Sequence, residues 1–212
     1  MNKKTAVMIL GLLAIIGQQA AMLTNNGYKV AKVMDGDTFE TVDRAKVRFD
    51  TLDAPELTNC GGIEAKVALE KLISGQTVRL QSEARDFVGR QIASVWVGET
   101  WIDLELIKTG WVKYSSSTVD KEHVLKNLDL ENRKNKLGIY SEKCTQTENK
   151  TNPKCKIKGN IISEWEFKGD KMYHMPGCIQ YKTTVVDLWK GEQWFCTEKE
   201  AKEAGYKKSG GC

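Results

Sequence analysis

VMDGDTFETVDRAKVRFDTLDAPE, residues 33–56, carries seven acidic residues, Asp35, Asp37, Glu40, Asp43, Asp50, Asp53 and Glu56, against three basic ones, Arg44, Lys46 and Arg48. It nonetheless alternates apolar and polar residues as β structure does. YKVAKV (28–33) precedes it, TFETV and KVRFDTL lie within it, and Asp43-Arg44 is a turn between them. Acidic residues are depleted in strands, so this many carboxylates need either partners or a purpose.

Working outward, GIEAKVALEKLISG (62–75) predicts a helix with Ala65, Leu69, Leu72 and Ile73 on one face, ended by Gly75. TVRLQSE (77–83) reads as a strand, and RQIASVWVGETW (90–101) as a strand with a turn at Gly98-Glu99. IDLELIKTG (102–110) is a short helix, and KEHVLKNLDLENRKNKLG (121–138) an amphipathic one ended by Gly138. About five strands, with one helix inserted after the third and the others following, give an α+β fold: a five-stranded OB-fold-like β-barrel with about three helices. It is expected to span residues 25–142.

The chain has 212 residues, 28% charged and 41% hydrophobic, an ordinary globular balance. Its net charge of +4 is uneven: residues 143–212 hold 13 Lys and 9 Asp or Glu, and the front 142 residues hold 19 of each sign. Any attraction of the front domain for nucleic acid must therefore come from a local patch. MNKKTAVMILGLLAIIGQQAA, residues 1–21, has the basic start, short apolar run and small residues of a secretory signal. The protein is expected to be secreted or periplasmic, with an uncleaved membrane anchor as the alternative. Six cysteines behind such a leader suggest disulfides. KCTQTENKTNPKCKIKGN, residues 143–160, is polar and reads as a linker. Residues 161–212 form a small cysteine-containing module, in which Thr197 and Glu200 make a capping box and Gly205 closes a helix.

Two histidines, His123 and His174, give poor support to a histidine base or a two-histidine metal site. Neither a Gly-x-Ser-x-Gly nor a P-loop is present. DGDT is not an EF-hand start, because Phe39 stands at position 5 and no glycine follows. A hairpin turn is its bland reading. Asp37 and Asp53, at the ends of two strands, can meet across a barrel mouth, and with a nearby carbonyl they make a hard oxygen site suited to Ca²⁺. Glu56, directed by the fixed backbone of Pro55, can act as a general base on water. Arg48 and Arg90 carry forks suited to phosphate oxygens.

DGDTF, VRFDTLDAPE, GIEA, DFVGRQIASVWV, LIKTGW and KNKLGIYSE, in that order over residues 28–142, resemble the staphylococcal nuclease (thermonuclease) family. The resemblance implies an OB-type barrel with three helices. It implies Asp37 and Asp53 as calcium-binding carboxylates, Ala54 as a ligand through its backbone carbonyl, Glu56 as general base, and Arg48 and Arg90 as the clamp on the scissile phosphate. The implied activity is a calcium-dependent, sequence-nonspecific hydrolysis of DNA and RNA that leaves 3′-phosphates, by a monomer. A catalytically silent OB-fold nucleic-acid-binding module is the alternative, and retention of Asp37, Arg48, Asp53, Glu56 and Arg90 together speaks against it.

The chain also departs from that family. Phe87-Val88 stand where a Lys-Tyr pair is expected, and Ser115, Ser116, Ser117 and Thr118 stand in the place of tyrosines. The loop between Glu56 and Glu64 is shorter and carries Cys60. The end of the chain resembles a small module appended to some secreted nucleases of the family. There His174, Cys178, Cys196 and Cys212 could bind zinc, although a Cys178–Cys196 disulfide is the favoured expectation. The module's positive charge is expected to supply nucleic-acid attraction, and Trp165, Trp189 and Trp194 are read first as core.

Overall fold

The computed structural model describes residues 27–115, 120, 123–162 and 169–212, without the side chains of residues 82 and 83. The leader, Ser116, Ser117, Thr118 and Trp165 lie outside the described residues.

The acidic stretch and its approach supply β1 (Tyr28–Val33), β2 (Thr38–Thr41), β3 (Lys46–Phe49) and β4 (Leu52–Asp53). Then follow α1 (Gly62–Ile73), β5 (Thr77–Arg85), β6 (Gln91–Val97), β7 (Thr100–Trp101), α2 (Ile102–Ile107), β8 (Lys113–Tyr114) and α3 (Val124–Lys134). The order β3-β2-β1-β5-β6 is closed by a parallel β3–β6 pairing, which makes the expected five-stranded barrel. Closure leaves no free edge on these five strands. In β1, Val30 and Val33 both face inward although three residues apart, because a bulge between Val30 and Lys32 resets the alternation.

Phe39, Val47, Phe49 and Leu52 from the strands meet Leu69 and Ile73 of α1 and Leu106 of α2 in one core. Ala65, Leu69 and Ile73 recur at helical spacing and are fully buried. Each large apolar side chain so buried contributes roughly 1.5–3 kcal/mol. One buried acid is built into this core. Asp103 in α2 accepts hydrogen bonds from the Thr51 hydroxyl and from the Val95 N–H at 2.9 Å, which ties α2 to β6 and to the residue ahead of β4.

α3 ends at Lys134, short of the glycine expected to end it. Lys136 turns the chain with φ 52°, and Gly138 begins the following 3-10 turn, where a Cβ would stand 2.0 Å from the Gly110 carbonyl oxygen. Gly138 is needed for the close passage of two backbones more than as a helix stop.

The rest of the chain forms β9 (Thr145–Gln146), β10 (Ile157–Ile161), β11 (Lys171–His174), β12 (Val186–Asp187), β13 (Gln193–Phe195), α4 (Glu198–Glu203) and β14 (Lys207–Lys208). The sheet runs β13-β10-β11-β14 over a small core of Ile157, Tyr173, Phe195, Ala201 and Tyr206. Thr197 caps α4 by accepting from the Glu200 N–H at 3.2 Å, while Glu200 accepts from the Cys196 N–H at 2.9 Å. Within residues 143–160, β9 pairs with β12, and β10 begins at Ile157 as the centre of the sheet. Ile139, Tyr140, Cys144 and Trp189 make a third buried cluster, packed on Cys60 and Trp111, and it joins barrel to module.

The cysteines pair as Cys60–Cys144, Cys155–Cys196 and Cys178–Cys212. The expected Cys178–Cys196 bridge is not formed, since each of its cysteines has another partner. The zinc alternative also loses its thiolates. His174 Nε2 lies 2.9 Å from Asn160 Oδ1, in a sheet contact and not in a ligand set. Spacing could not reveal these pairings, because they depend on how β10, β13 and the chain end fold together.

Two stability predictions follow from this architecture. Burial pushes the Asp103 carboxyl up to about 6, above its unfolded value of about 3.9. The folded state therefore holds that proton more tightly, and the stability it gives is complete below about pH 4 and lost as pH rises through about 6. In urea melts, Asp103→Asn should flatten that part of the stability–pH curve, and Asp103→Ala should cost about 1–3 kcal/mol by orphaning the Val95 N–H. Replacing Cys60 and Cys144 together by serine should cost about 2–4 kcal/mol, because their bond closes a separation of 84 residues; the shift of the denaturation midpoint measures it.

Candidate active site

The site begins at the turn from β1 into β2. Asp35 Oδ1 accepts the Asp37 N–H at 3.1 Å and so shapes the turn. Gly36 is glycine because of what lies against it: a Cβ there would come 2.5 Å from the Ala65 Cβ and 2.6 Å from the Ala54 Cβ. That close approach seats the turn on α1 and on the segment after β4. It brings Asp37, only 2% exposed, beside Ala54, whose N–H donates to Asp37 Oδ2 at 2.7 Å.

Arg48 arrives from β3, where it stands opposite Thr38 in the ladder. Its Nη1 lies 2.6 Å from Asp37 Oδ1 and its Nη2 2.6 Å from Asp53 Oδ1. One guanidinium thus bridges two carboxylates. Thr38 adds its hydroxyl to Asp37 Oδ1 at 2.9 Å. Lys113, opposite Asp53 in the β4–β8 pair, reaches Asp53 Oδ2 at 2.9 Å. Burial pushes the Asp37 carboxyl up to about 6, and Arg48 and the Ala54 N–H pull against it.

Glu56 is exposed, beyond the buried Pro55. Its carbonyl accepts the Asn59 N–H at 2.8 Å, which closes a turn. That turn is gripped by the C-terminal module: Asn59 Nδ2 donates to the Trp189 carbonyl at 3.3 Å, the Cys60 N–H donates to the Leu188 carbonyl at 3.4 Å, and Cys60 is bonded to Cys144. Asp53, Glu56, Lys113 and Arg133 share with Trp189 and Lys190 of the module a cavity of about 530 Å³.

Arg90 ends the β5–β6 turn. Its Nε lies 2.7 Å from Asp86 Oδ2, and its N–H donates to Asp86 Oδ1 at 2.8 Å. Asp86 also accepts the Val88 N–H at 3.1 Å, so one carboxylate organises the Phe87-Val88-Gly89 turn. Phe87 is 99% exposed at its tip and packs on nothing.

Of the sequence-derived residues, Asp37, Arg48, Asp53 and Ala54 meet in one hydrogen-bonded cluster, and Glu56 lines the cavity beside Asp53. Arg90 is bonded within its own turn. Arg48, expected to face phosphate, directs both terminal nitrogens at the carboxylates. Of the other acids in the opening stretch, Asp43 accepts from the Thr41 hydroxyl in a turn and Glu40 pairs with Lys32 at 3.5 Å. The sequence gives no sign of Lys113, Thr38, Asp86 or Lys190 at the site, and Trp189, expected as core, is buried yet also walls the cavity. Only the β4–β8 register would have pointed to Lys113, and two-residue strands give no periodic signal.

The donors suit a hard divalent cation. Asp37 and Asp53 bring one carboxylate oxygen each to within 2.6 Å of the same guanidinium, so their hard oxygen donors converge on one point of positive charge. Among the described residues no group of three or more His, Cys, Asp or Glu side chains could hold an ion, so carbonyl and water oxygens would complete the shell.

Comparison with known proteins agrees with this geometry. The family model described as staphylococcal nuclease homologue matches residues 46–142. An uncharacterized endonuclease of Haemophilus influenzae is 34% identical over 89 residues, which cover 40% of this chain and 50% of that protein. An uncharacterized endonuclease of Escherichia coli O157:H7 is 30% identical over 120 residues, 54% of this chain and 76% of that one. The thermonuclease of Staphylococcus hyicus is 29% identical over 136 residues, 52% and 80% respectively. The chain therefore spans about half the length of the Haemophilus relative and most of the other two. With the closed barrel and the Asp37–Arg48–Asp53 cluster at its mouth, these matches establish that the chain belongs to the family of staphylococcal nuclease homologues.

Proposed function

We propose that the protein is a secreted, calcium-dependent nuclease that hydrolyses phosphodiester bonds of DNA and RNA without sequence preference and leaves 3′-phosphates, acting as a monomer. The observation that carries this reading is the Asp37–Arg48–Asp53 cluster beside an exposed Glu56. Three disulfides that use all six cysteines support an oxidising destination, and residues 1–21 are proposed as the leader that takes the chain there.

Asp37, Asp53 and the Ala54 carbonyl would hold the ion, which when bound supplies Lewis-acid polarisation of a phosphate oxygen. Glu56, solvated and next to Asp53, takes the proton from an attacking water. Arg48 neutralises the same two carboxylates that would hold the ion; with the ion taking over that charge, its guanidinium would be released to the phosphate as a donor for the negative charge of the transition state. Lys113 holds Asp53 from the other side. Arg90 remains the second donor of the clamp, with Asp86 fixing its Nε and leaving its terminal nitrogens for a phosphate. Contacts to phosphate and sugar carry no sequence information, which accounts for indifference to base order.

Digestion of single- and double-stranded DNA and of RNA by the purified full chain tests the proposal. Activity should require calcium and vanish in chelator, and the fragments should carry 3′-phosphates removable by a phosphatase. Glu56→Gln should lose most of the activity at an unchanged denaturation midpoint. Arg48→Gln should lose about 10²–10³ in kcat, the usual cost of one transition-state donor. Full activity in chelator, or an unimpaired Glu56→Gln variant, would sink the mechanism. Tight binding of DNA without cleavage would favour the silent binding module.

A further inference from the structure

A groove of about 700 Å³ lies on the C-terminal module and shares no lining residue with the cavity at Glu56. Lys150, Lys156, Lys158 and Lys182 line it together with Tyr181 and Trp194. Among the described residues Glu148 is its one acidic lining residue, and Lys150 pairs with Glu142 at 2.7 Å, so the groove keeps a net positive charge carried by the other lysines.

The lysines fall into two kinds. Lys158 is 2% exposed and structural: its Nζ donates to the Tyr181 carbonyl at 2.9 Å and the Thr184 carbonyl at 2.7 Å. The same Nζ lies 4.6 Å from the Tyr181 ring centre and 5.8 Å from that of Trp194. A buried ammonium thus fixes both rings by cation–π attraction. Lys156 and Lys182, in contrast, are exposed. The rings are also pinned at their polar ends. Tyr181 Oη donates to the Lys156 carbonyl at 2.8 Å, and Trp194 Nε1 donates to Gln146 Oε1 at 2.8 Å. Both rings stay only half-buried. Pinned, half-exposed aromatic rings beside exposed ammonium groups suit one class of ligand: flexible polyanions that carry flat apolar groups.

We propose that this groove binds single-stranded nucleic acid, with Lys156 and Lys182 on phosphates and the rings of Tyr181 and Trp194 against bases. It holds substrate outside the cleavage site. That role as a tether rests on the nuclease reading; the binding itself does not. The groove gives the module's surplus charge a location, and it supplies attraction to a front domain whose charge is balanced.

The Cys60–Cys144 bond makes truncation at residue 143 unsuitable, so point variants of the full chain are the test. Fluorescence anisotropy with a labelled oligothymidylate of about 12 nucleotides, in chelator so that nothing is cut, measures the affinity. The double variant Lys156→Glu, Lys182→Glu should bind at least about tenfold more weakly, with a salt slope shallower by about 1.4, as expected for two lost phosphate contacts on a single strand. Tyr181→Leu should weaken oligothymidylate binding about tenfold and leave binding of inorganic polyphosphate unchanged. Unaltered affinity and salt slope in the double variant would overturn the proposal. So would a Tyr181→Leu variant that binds both ligands as the parent does, which would mark a site for polyanions in general. Hydrolysis of a chromogenic thymidine phosphodiester separates the two readings. The double variant should hydrolyse it at the parent's rate; a parent that does not hydrolyse it refutes the nuclease reading, while the anisotropy result still decides the groove.

Discussion

One guanidinium holds the barrel mouth together. Asp37 is buried and Asp53 stands near it, and two carboxylates so placed repel each other and lose hydration. Arg48 reaches both at 2.6 Å from β3, the strand that pairs with β2 on one side, where Arg48 stands opposite Thr38, and closes the barrel against β6 on the other. The fold and the charge arrangement therefore both depend on how β3 is registered. A slip of one residue in β3 would turn Arg48 to the other face and leave Asp37 with no cation from that strand. Lys113 on β8 supports Asp53 but does not reach Asp37, so it cannot replace the arginine.

The barrel was legible because its strands bury one face, and burial on alternate residues writes itself into the sequence. Phe39, Val47, Phe49, Leu69 and Ile73 all stand where the patterns put them. Asp37 and Asp53 were legible for a different reason, since strand ends in a closed barrel gather at a mouth. The partners of those carboxylates were not legible. Asp37 meets the Ala54 N–H because Gly36 lets α1 and the turn come within contact, a packing fact that no local pattern records. An arginine between acids can face a ligand or the acids themselves, and only the ladder register shows that Arg48 bridges Asp37 and Asp53.

The C-terminal module was harder to read because its strands run from two to five residues and two of its strands, β9 and β12, find each other across forty residues of chain. Strands that short carry too few positions for a period to emerge, and polar composition alone made residues 143–160 look like a spacer. Their structural role lies in the buried Cys144 and Cys155 and in the central strand β10. The module then contributes to the barrel's own chemistry through contact, since Trp189 and Leu188 grip the turn that presents Glu56.

The Cys60–Cys144 bond turns the middle of the chain into a covalent ring. α1, β5 to β8, α2 and α3 all lie on that ring, and β1 to β4 hang from one side of it as the module hangs from the other. A single cut anywhere between residues 61 and 143 opens the backbone without parting the molecule. The strands on either side of the nick stay at high local concentration, held by sulfur as well as by the barrel. Connectivity in this protein is thus carried twice through the segment that includes the exposed β5–β6 turn.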